Sequence, residues 1–149
     1  MPIKELSLND YFKCNNIWDM SKDPDRAKCW YDELAAGNRI TFVYIEDEQY
    51  LGEVSLVKEN GDSDYTVPGQ RIYLSRMIVK KENRNQGLGG LLLDHAMCYA
   101  KQLGYSEISL GVDISNTGAR RLYEKKGFTN IIFVGEDKDG KFVKLIKTI

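Results

Sequence analysis

The stretch from Arg71 to Gly104 constrains the fold more than any other part of the chain. Arg71 to Lys80 reads Arg-Ile-Tyr-Leu-Ser-Arg-Met-Ile-Val-Lys, whose β-branched and aromatic content predicts a strand. Gly87, Gly89 and Gly90 then lead into a helix predicted from about Leu88 to Leu103, which Gly104 terminates. On it Leu88, Leu92, Ala96, Tyr99 and Leu103 recur at helical spacing and predict a face toward a sheet. A further strand follows at Glu107 to Val112. Strand, helix and strand in this succession form a crossover, which sets two strands parallel.

The flanks add an antiparallel part. Ile3 to Leu6 predicts a short strand, and a helix should pass through Tyr11, Phe12 and Ile17 before Ser21-Lys22-Asp23-Pro24. Asp23 can cap a second helix with Pro24 in its first turn, running through Trp30 and Leu34 to Gly37. Ile40 to Ile45 and Tyr50 to Val57 predict a hairpin across the acidic turn Glu46 to Gln49. Glu59 to Gln70 is a polar loop long enough to suspect a function. A helix from about Thr117 to Lys126, ended by Gly127, precedes two strands around Ile131 to Phe133 and Phe142 to Ile146. The order βααβββαβαββ predicts an α+β fold. Its sheet should be mixed and mostly antiparallel, and the length of 149 residues suits one domain over 1–149.

Composition excludes several functions. Lys+Arg 21 against Asp+Glu 22 leaves no basic excess of the kind that drives nucleic-acid binding. No run is long and apolar enough for a membrane helix, and Met1-Pro2-Ile3-Lys4-Glu5 does not resemble a signal peptide. Cys14, Cys29 and Cys98 lack zinc-ligand spacing and fit free thiols in a reducing, cytoplasmic setting. His95 is the single histidine, so a metal site of several histidines is out of reach and no metal is expected.

The segment Arg84-Asn85-Gln86-Gly87-Leu88-Gly89-Gly90 carries the chemistry. Glycines at a helix start let a ligand approach the backbone, and the unpaired first-turn N–H groups and helix dipole favour an anion. No Lys-Ser/Thr pair follows as a P-loop requires, and the last glycine of a dinucleotide fingerprint would fall on Leu92. A glycine-rich turn without a ligand is the plain alternative. Two cationic clusters flank the turn and favour a phosphate-bearing ligand: Arg76, Lys80, Lys81 and Arg84 against Glu82, and Arg120, Arg121, Lys125 and Lys126 against Glu124.

The stretch from Tyr73 to Phe128 resembles the acetyl-CoA-binding core of the GNAT superfamily of N-acetyltransferases. The resemblance rests on Arg84-x-x-Gly87-x-Gly89 at a strand-to-helix turn and on Asn116-x-x-Ala119-x-x-x-Tyr123-x-x-x-Gly127-Phe128 downstream. It implies a single-domain GNAT-like fold with helices on both faces of the sheet. It also implies transfer of the acetyl group of acetyl-CoA directly to a primary amine, on a small molecule or a protein. Arg84, Asn85, Gln86, Gly87, Leu88, Gly89 and Gly90 would bind the donor, with amides of Gln86 to Gly90 holding the pyrophosphate. The pantetheine arm would pair with Met77, Ile78 and Val79, where an N–H polarises the thioester carbonyl, and Asn116 would hydrogen-bond near that arm. Tyr123 would protonate the departing thiolate, sharing one helix face with Asn116 two turns away.

For such a reaction the amine must lose a proton, and Glu53 is the candidate base, against the reading of a solvent-facing carboxylate on an amphipathic strand. Cys98 reads as a small buried hydrophobe, His95 as a structural residue, and Tyr11, Phe12, Trp30 and Tyr31 as core or acceptor-pocket aromatics. Glu46, Asp47, Glu48, Glu53, Glu59, Asp62 and Asp64 against Lys58 would attract a cationic acceptor. A second reading is a CoA-binding or regulatory module without catalysis. A homodimer is compatible with either.

Overall fold

The structure, a computed structural model, describes residues 2–149. Its elements are β1 (Ile3–Glu5), α1 (Pro24–Ala35), β2 (Arg39–Glu46), β3 (Gln49–Val57), β4 (Arg71–Val79), α2 (Leu88–Gln102), β5 (Glu107–Asp113), α3 (Thr117–Lys125), β6 (Asn130–Asp137) and β7 (Gly140–Thr148). The strands form one sheet in the order β1-β2-β3-β4-β5-β7-β6. The predicted crossover is present: β4 and β5 run parallel, with Arg71, Ile72 and Tyr73 opposite Glu107, Ile108 and Ser109. The pairs β1 with β2, β2 with β3, β5 with β7 and β6 with β7 are antiparallel, as the α+β reading expects.

The first predicted helix differs. Leu8–Asn16 and Met20–Lys22 are 3₁₀ segments. Tyr11, Cys14, Ile17 and Met20 are all buried, and their spacing of three matches the three residues per turn of a 3₁₀ helix. Phe12, out of that phase, is exposed. The second helix follows its signals, since the Asp23 carboxylate accepts a hydrogen bond from Arg26 N at 3.1 Å and Pro24 opens α1. The last two strands are longer than predicted, because β6 is exposed along most of its length and shows no burial alternation.

By its contacts the chain divides into two compact units, Met1–Val57 with Arg76–Ala96 and Lys58–Ser75 with Met97–Ile149. In the first, Leu6, Tyr11, Cys14, Ile17, Met20, Ala27, Val43 and Tyr50 form one core cluster. β3 is buried from Tyr50 to Val57, so it is covered on both faces rather than amphipathic. Gly52 sits against the Leu92 side chain of α2: a Cβ there would lie 2.9 Å from Leu92 Cδ1 and 3.3 Å from the Ile78 carbonyl oxygen. Gly52→Ala is expected to lower stability by about 1–3 kcal/mol through overpacking, read as a reduced Tm in thermal unfolding.

The α2 face is only partly as predicted. Leu88, Leu92 and Ala96 are buried, but Leu93 and Ala100 complete the buried stripe, while Leu103 is exposed. In the second unit Ile108, Leu110, Val143, Leu145 and Phe128 are buried. The polar loop before β4 is strapped down within this unit. Asn60 N donates to Thr66 Oγ1 at 3.1 Å, and Arg71 Nη1 donates to the Asp64 carbonyl at 2.9 Å. Lys144 Nζ on β7 reaches Asp62 at 2.9 Å and Asp64 at 3.0 Å.

Candidate active site

The glycine-rich turn is built from β4 onward. Lys80 N donates to the Leu51 carbonyl at 2.7 Å, closing the end of β4, and Lys81–Asn83 makes one 3₁₀ turn. Arg84 then folds back, its Nε donating to the Val79 carbonyl at 3.0 Å. The turn is completed by left-handed conformations at Asn85, φ 63°, and Gly87, φ 83°. α2 starts at Leu88, and Leu91 N donates to Gly87 O at 3.2 Å. The N–H groups of Leu88, Gly89 and Gly90 precede that bond, in the first helical turn where amides lack intrahelical acceptors. Gln86 and Gly87 are exposed, and Leu88 is buried beneath them. Its aliphatic anchor fixes a polar, positive helix start at the surface, which fits a phosphate-bearing ligand.

On β4 the registered pairs with β5 are Arg71, Ile72 and Tyr73. Met77 and Ile78, beyond them, are half-buried and Val79 is buried. In the second unit, Asn116 is the N-cap of α3, its Oδ1 accepting from Ala119 N at 3.2 Å. That side-chain oxygen is already used, which leaves only Nδ2 to donate elsewhere. Asn116 is exposed and Tyr123 is buried, so the shared helix face expected for them is not a shared environment. Tyr123 packs edge-on against Phe128, with centroids 6.1 Å apart. Burial, and secondarily Tyr73, push its phenol up to about 12, so it stays protonated at neutral pH.

Glu53 is not the solvent-facing carboxylate of an amphipathic strand. It is 4% exposed. Its carboxylate lies 3.3 Å from Arg76 Nε and accepts a hydrogen bond from the Cys14 thiol. Burial raises its pKa above the usual carboxylate range, with Arg76 and then Cys14 opposing that rise. Arg76 itself sits over a T-shaped Trp18–Trp30 pair, its Cζ 4.8 Å from the first ring centroid and 4.7 Å from the second. Sequence reasoning had Arg76 only as one cation in a cluster and did not single out Trp18. The spacing of an arginine on a strand from one tryptophan in a bend between 3₁₀ segments and another on α1 carries no local signal.

Other expectations are corrected. Cys98 is exposed, on the side of α2 away from Leu92, Leu93, Ala96 and Ala100, and accepts from Gln102 Nε2 at 3.7 Å. His95 packs edge-on against Phe42 at 4.5 Å, in line with a structural role. The acids offered as a lure for a cation are partly spent, since Asp62 and Asp64 hold Lys144 and Glu53 holds Arg76. Among the described residues no cluster of His, Cys, Asp and Glu suits a metal ion, and no helix is long and apolar enough to cross a membrane.

A model of the acetyltransferase (GNAT) family matches residues 3–128. The chain belongs to this family. Over 124 residues this GNAT chain is 31% identical to N-alpha-acetyltransferase 40 of Saccharomyces cerevisiae, covering 78% of the chain and 41% of the yeast protein. It spans about half the length of the relatives it matches. The fold is similar to an aminoglycoside 6'-N-acetyltransferase complexed with coenzyme A, with TM-score 0.75, 16% identity and coverage of 99% of this chain and 97% of that one. It is also similar to ribosomal-protein-alanine N-acetyltransferase from Brucella melitensis, with TM-score 0.79, 15% identity and full coverage of both chains.

Proposed function

We propose that the protein is an N-acetyltransferase that moves the acetyl group of acetyl-CoA directly to a primary amine of a small molecule or protein. The observation that carries this reading is the exposed glycine turn at the start of α2, with left-handed backbone at Asn85 and Gly87 in a GNAT-family chain. Acetyl-CoA supplies an activated thioester, and the chain's residues do the rest. Amides of Gln86 to Gly90 take the pyrophosphate, with Arg84 bracing the turn through the Val79 carbonyl. Met77, Ile78 and Val79 offer backbone to the pantetheine arm, and an N–H there polarises the thioester carbonyl. Asn116 donates toward the same arm. Glu53 takes the proton of the incoming amine, directly or through water, and Tyr123 gives one to the departing sulfur.

Release of free CoA thiol that depends on an added amine, followed colorimetrically over a panel of acceptors, tests the reading. Gly87→Val forces a β-branched residue into left-handed backbone and is expected to raise KM for acetyl-CoA about tenfold or more. Saturable CoA binding with no thiol release on any amine would instead describe a binding module.

A further inference from the structure

We infer that Arg76 is the specificity-determining residue of the acceptor site and selects amines that carry a carboxylate a few bonds from the reacting nitrogen. This rests on the acetyltransferase reading and adds the acceptor class to it. Arg76 immediately precedes Met77, Ile78 and Val79, the backbone assigned to the acyl-bearing arm, so its side chain belongs to the stretch where the acceptor must arrive.

The surroundings of Arg76 hold its charge without satisfying its donors. The guanidinium lies over the notch of the Trp18–Trp30 pair, an arrangement that favours a cation but accepts no hydrogen bond in the plane of the group. Its Nε faces Glu53 at 3.3 Å yet makes no hydrogen bond, and the neighbouring Trp18 Nε1 is buried with no partner. Among the described residues none hydrogen-bonds Nη1 or Nη2. The side chain is nevertheless 18% exposed, so the terminal edge can be reached. A planar fork held beside two aromatic rings, with its terminal donors free, matches the two oxygens of a carboxylate.

Arg26, Arg39 and Arg76 lie 5.8, 4.8 and 4.7 Å from the Trp30 ring, and each faces one acid: Asp23, 3.2 Å from Arg26, Glu33, 3.6 Å from Arg39, and Glu53, 3.3 Å from Arg76. Arg76, beside the backbone assigned to the acyl-bearing arm, keeps terminal donors that no described residue engages, so it is the group an incoming carboxylate would meet. A carboxylate-bearing amine could be a free amino acid or a peptide with an acidic side chain near its N-terminus. The two share the chemistry that Arg76 reads.

The test compares matched acceptors by kcat/KM at one pH: phenylalanine against phenethylamine, and, as C-terminal amides, glycyl-aspartate amide against glycyl-asparagine amide. The first pair probes the free amino acid and the second the peptide. In Arg76→Gln the carboxylate-to-neutral ratio is expected to fall about tenfold or more in at least one pair, with Arg76→Lys falling between Gln and wild type. Differences in amine basicity cancel between variant and wild type. A purely structural role, or one exercised only through Glu53, would lower both members of a pair alike and leave the ratio within about twofold, which overturns the inference. Should Arg76→Gln fail to fold by circular dichroism, the wild-type ranking decides. Preference for the carboxylated members supports the inference, and preference for their counterparts without the carboxylate overturns it. If no amine at all releases CoA thiol, the acetyltransferase reading itself fails and this assignment with it.

Discussion

Tyr123→Phe is expected to lower kcat with a good amine by about 10²-fold or more, because the substitution deletes the proposed proton donor and little else. The ring keeps its place: Tyr123 is 6% exposed on α3 and packs edge-on against Phe128. Its ionisation is pushed up to about 12, chiefly by burial. The phenol therefore holds its proton throughout the range in which amine acceptors lose theirs. Departure of a thiolate into such a site is favoured when the proton arrives as the bond breaks, and the phenylalanine variant has none to offer. The pH dependence follows from the sign of the shift. An acid with a raised pKa stays in its donor form as pH rises, so wild-type kcat should show no fall between pH 7 and 10 that Tyr123→Phe abolishes. Folding should be nearly unaffected, with thermal unfolding close to wild type. Steady-state rates of thiol release decide the matter, and a kcat within about twofold of wild type would show that another group protonates the sulfur.

How much of this was legible in the sequence depends on whether the signal was local. The turn at Asn85 to Gly90, the ends of α2 and α3 at Gly104 and Gly127, and the Asp23–Pro24 start of α1 are all written within a few residues, and all stand where they were read. The 3₁₀ path of Leu8–Asn16 is also local, in the spacing of three from Tyr11 to Met20, although the apolar positions Tyr11, Phe12 and Ile17 alone predict only a helix of unspecified pitch. The environment of Glu53 was not legible. The sequence leaves a base and a solvent-facing carboxylate on an amphipathic strand equally open, and only the covering of β3 on both faces, with α2 reaching Gly52 through Leu92, makes that carboxylate buried. Lys144 was unremarked for the same reason: its partners Asp62 and Asp64 are some eighty residues away. Long-range pairing decides which charges are spent, and no run of adjacent residues reports it.

Glu53→Gln separates the two things a buried carboxylate can be. Gln keeps the size and hydrogen-bonding shape of the protonated acid but cannot take a proton, so kcat/KM should fall about 10²-fold if Glu53 is the base. The stability change should go the other way. Burial raises the pKa of Glu53 in the folded state above its ordinary value of 4.5, against the opposing pull of Arg76 and the Cys14 hydrogen bond. The folded protein then binds this proton more tightly than the unfolded chain does. Stability contributed by the group is complete below the unfolded pKa and declines as pH rises through the higher folded value. A glutamine does not titrate, so the variant escapes that decline. Denaturant unfolding should find wild type and Glu53→Gln similar near pH 4, and the variant at least as stable as wild type near pH 8. In activity, wild-type kcat/KM should rise with pH through the raised pKa as the base form appears, and that limb should vanish in the variant. A loss of about 3–5 kcal/mol on substitution at neutral pH, with turnover by the remaining folded enzyme unchanged, would identify Glu53 as the ionised structural partner of Arg76 and remove it from the chemistry.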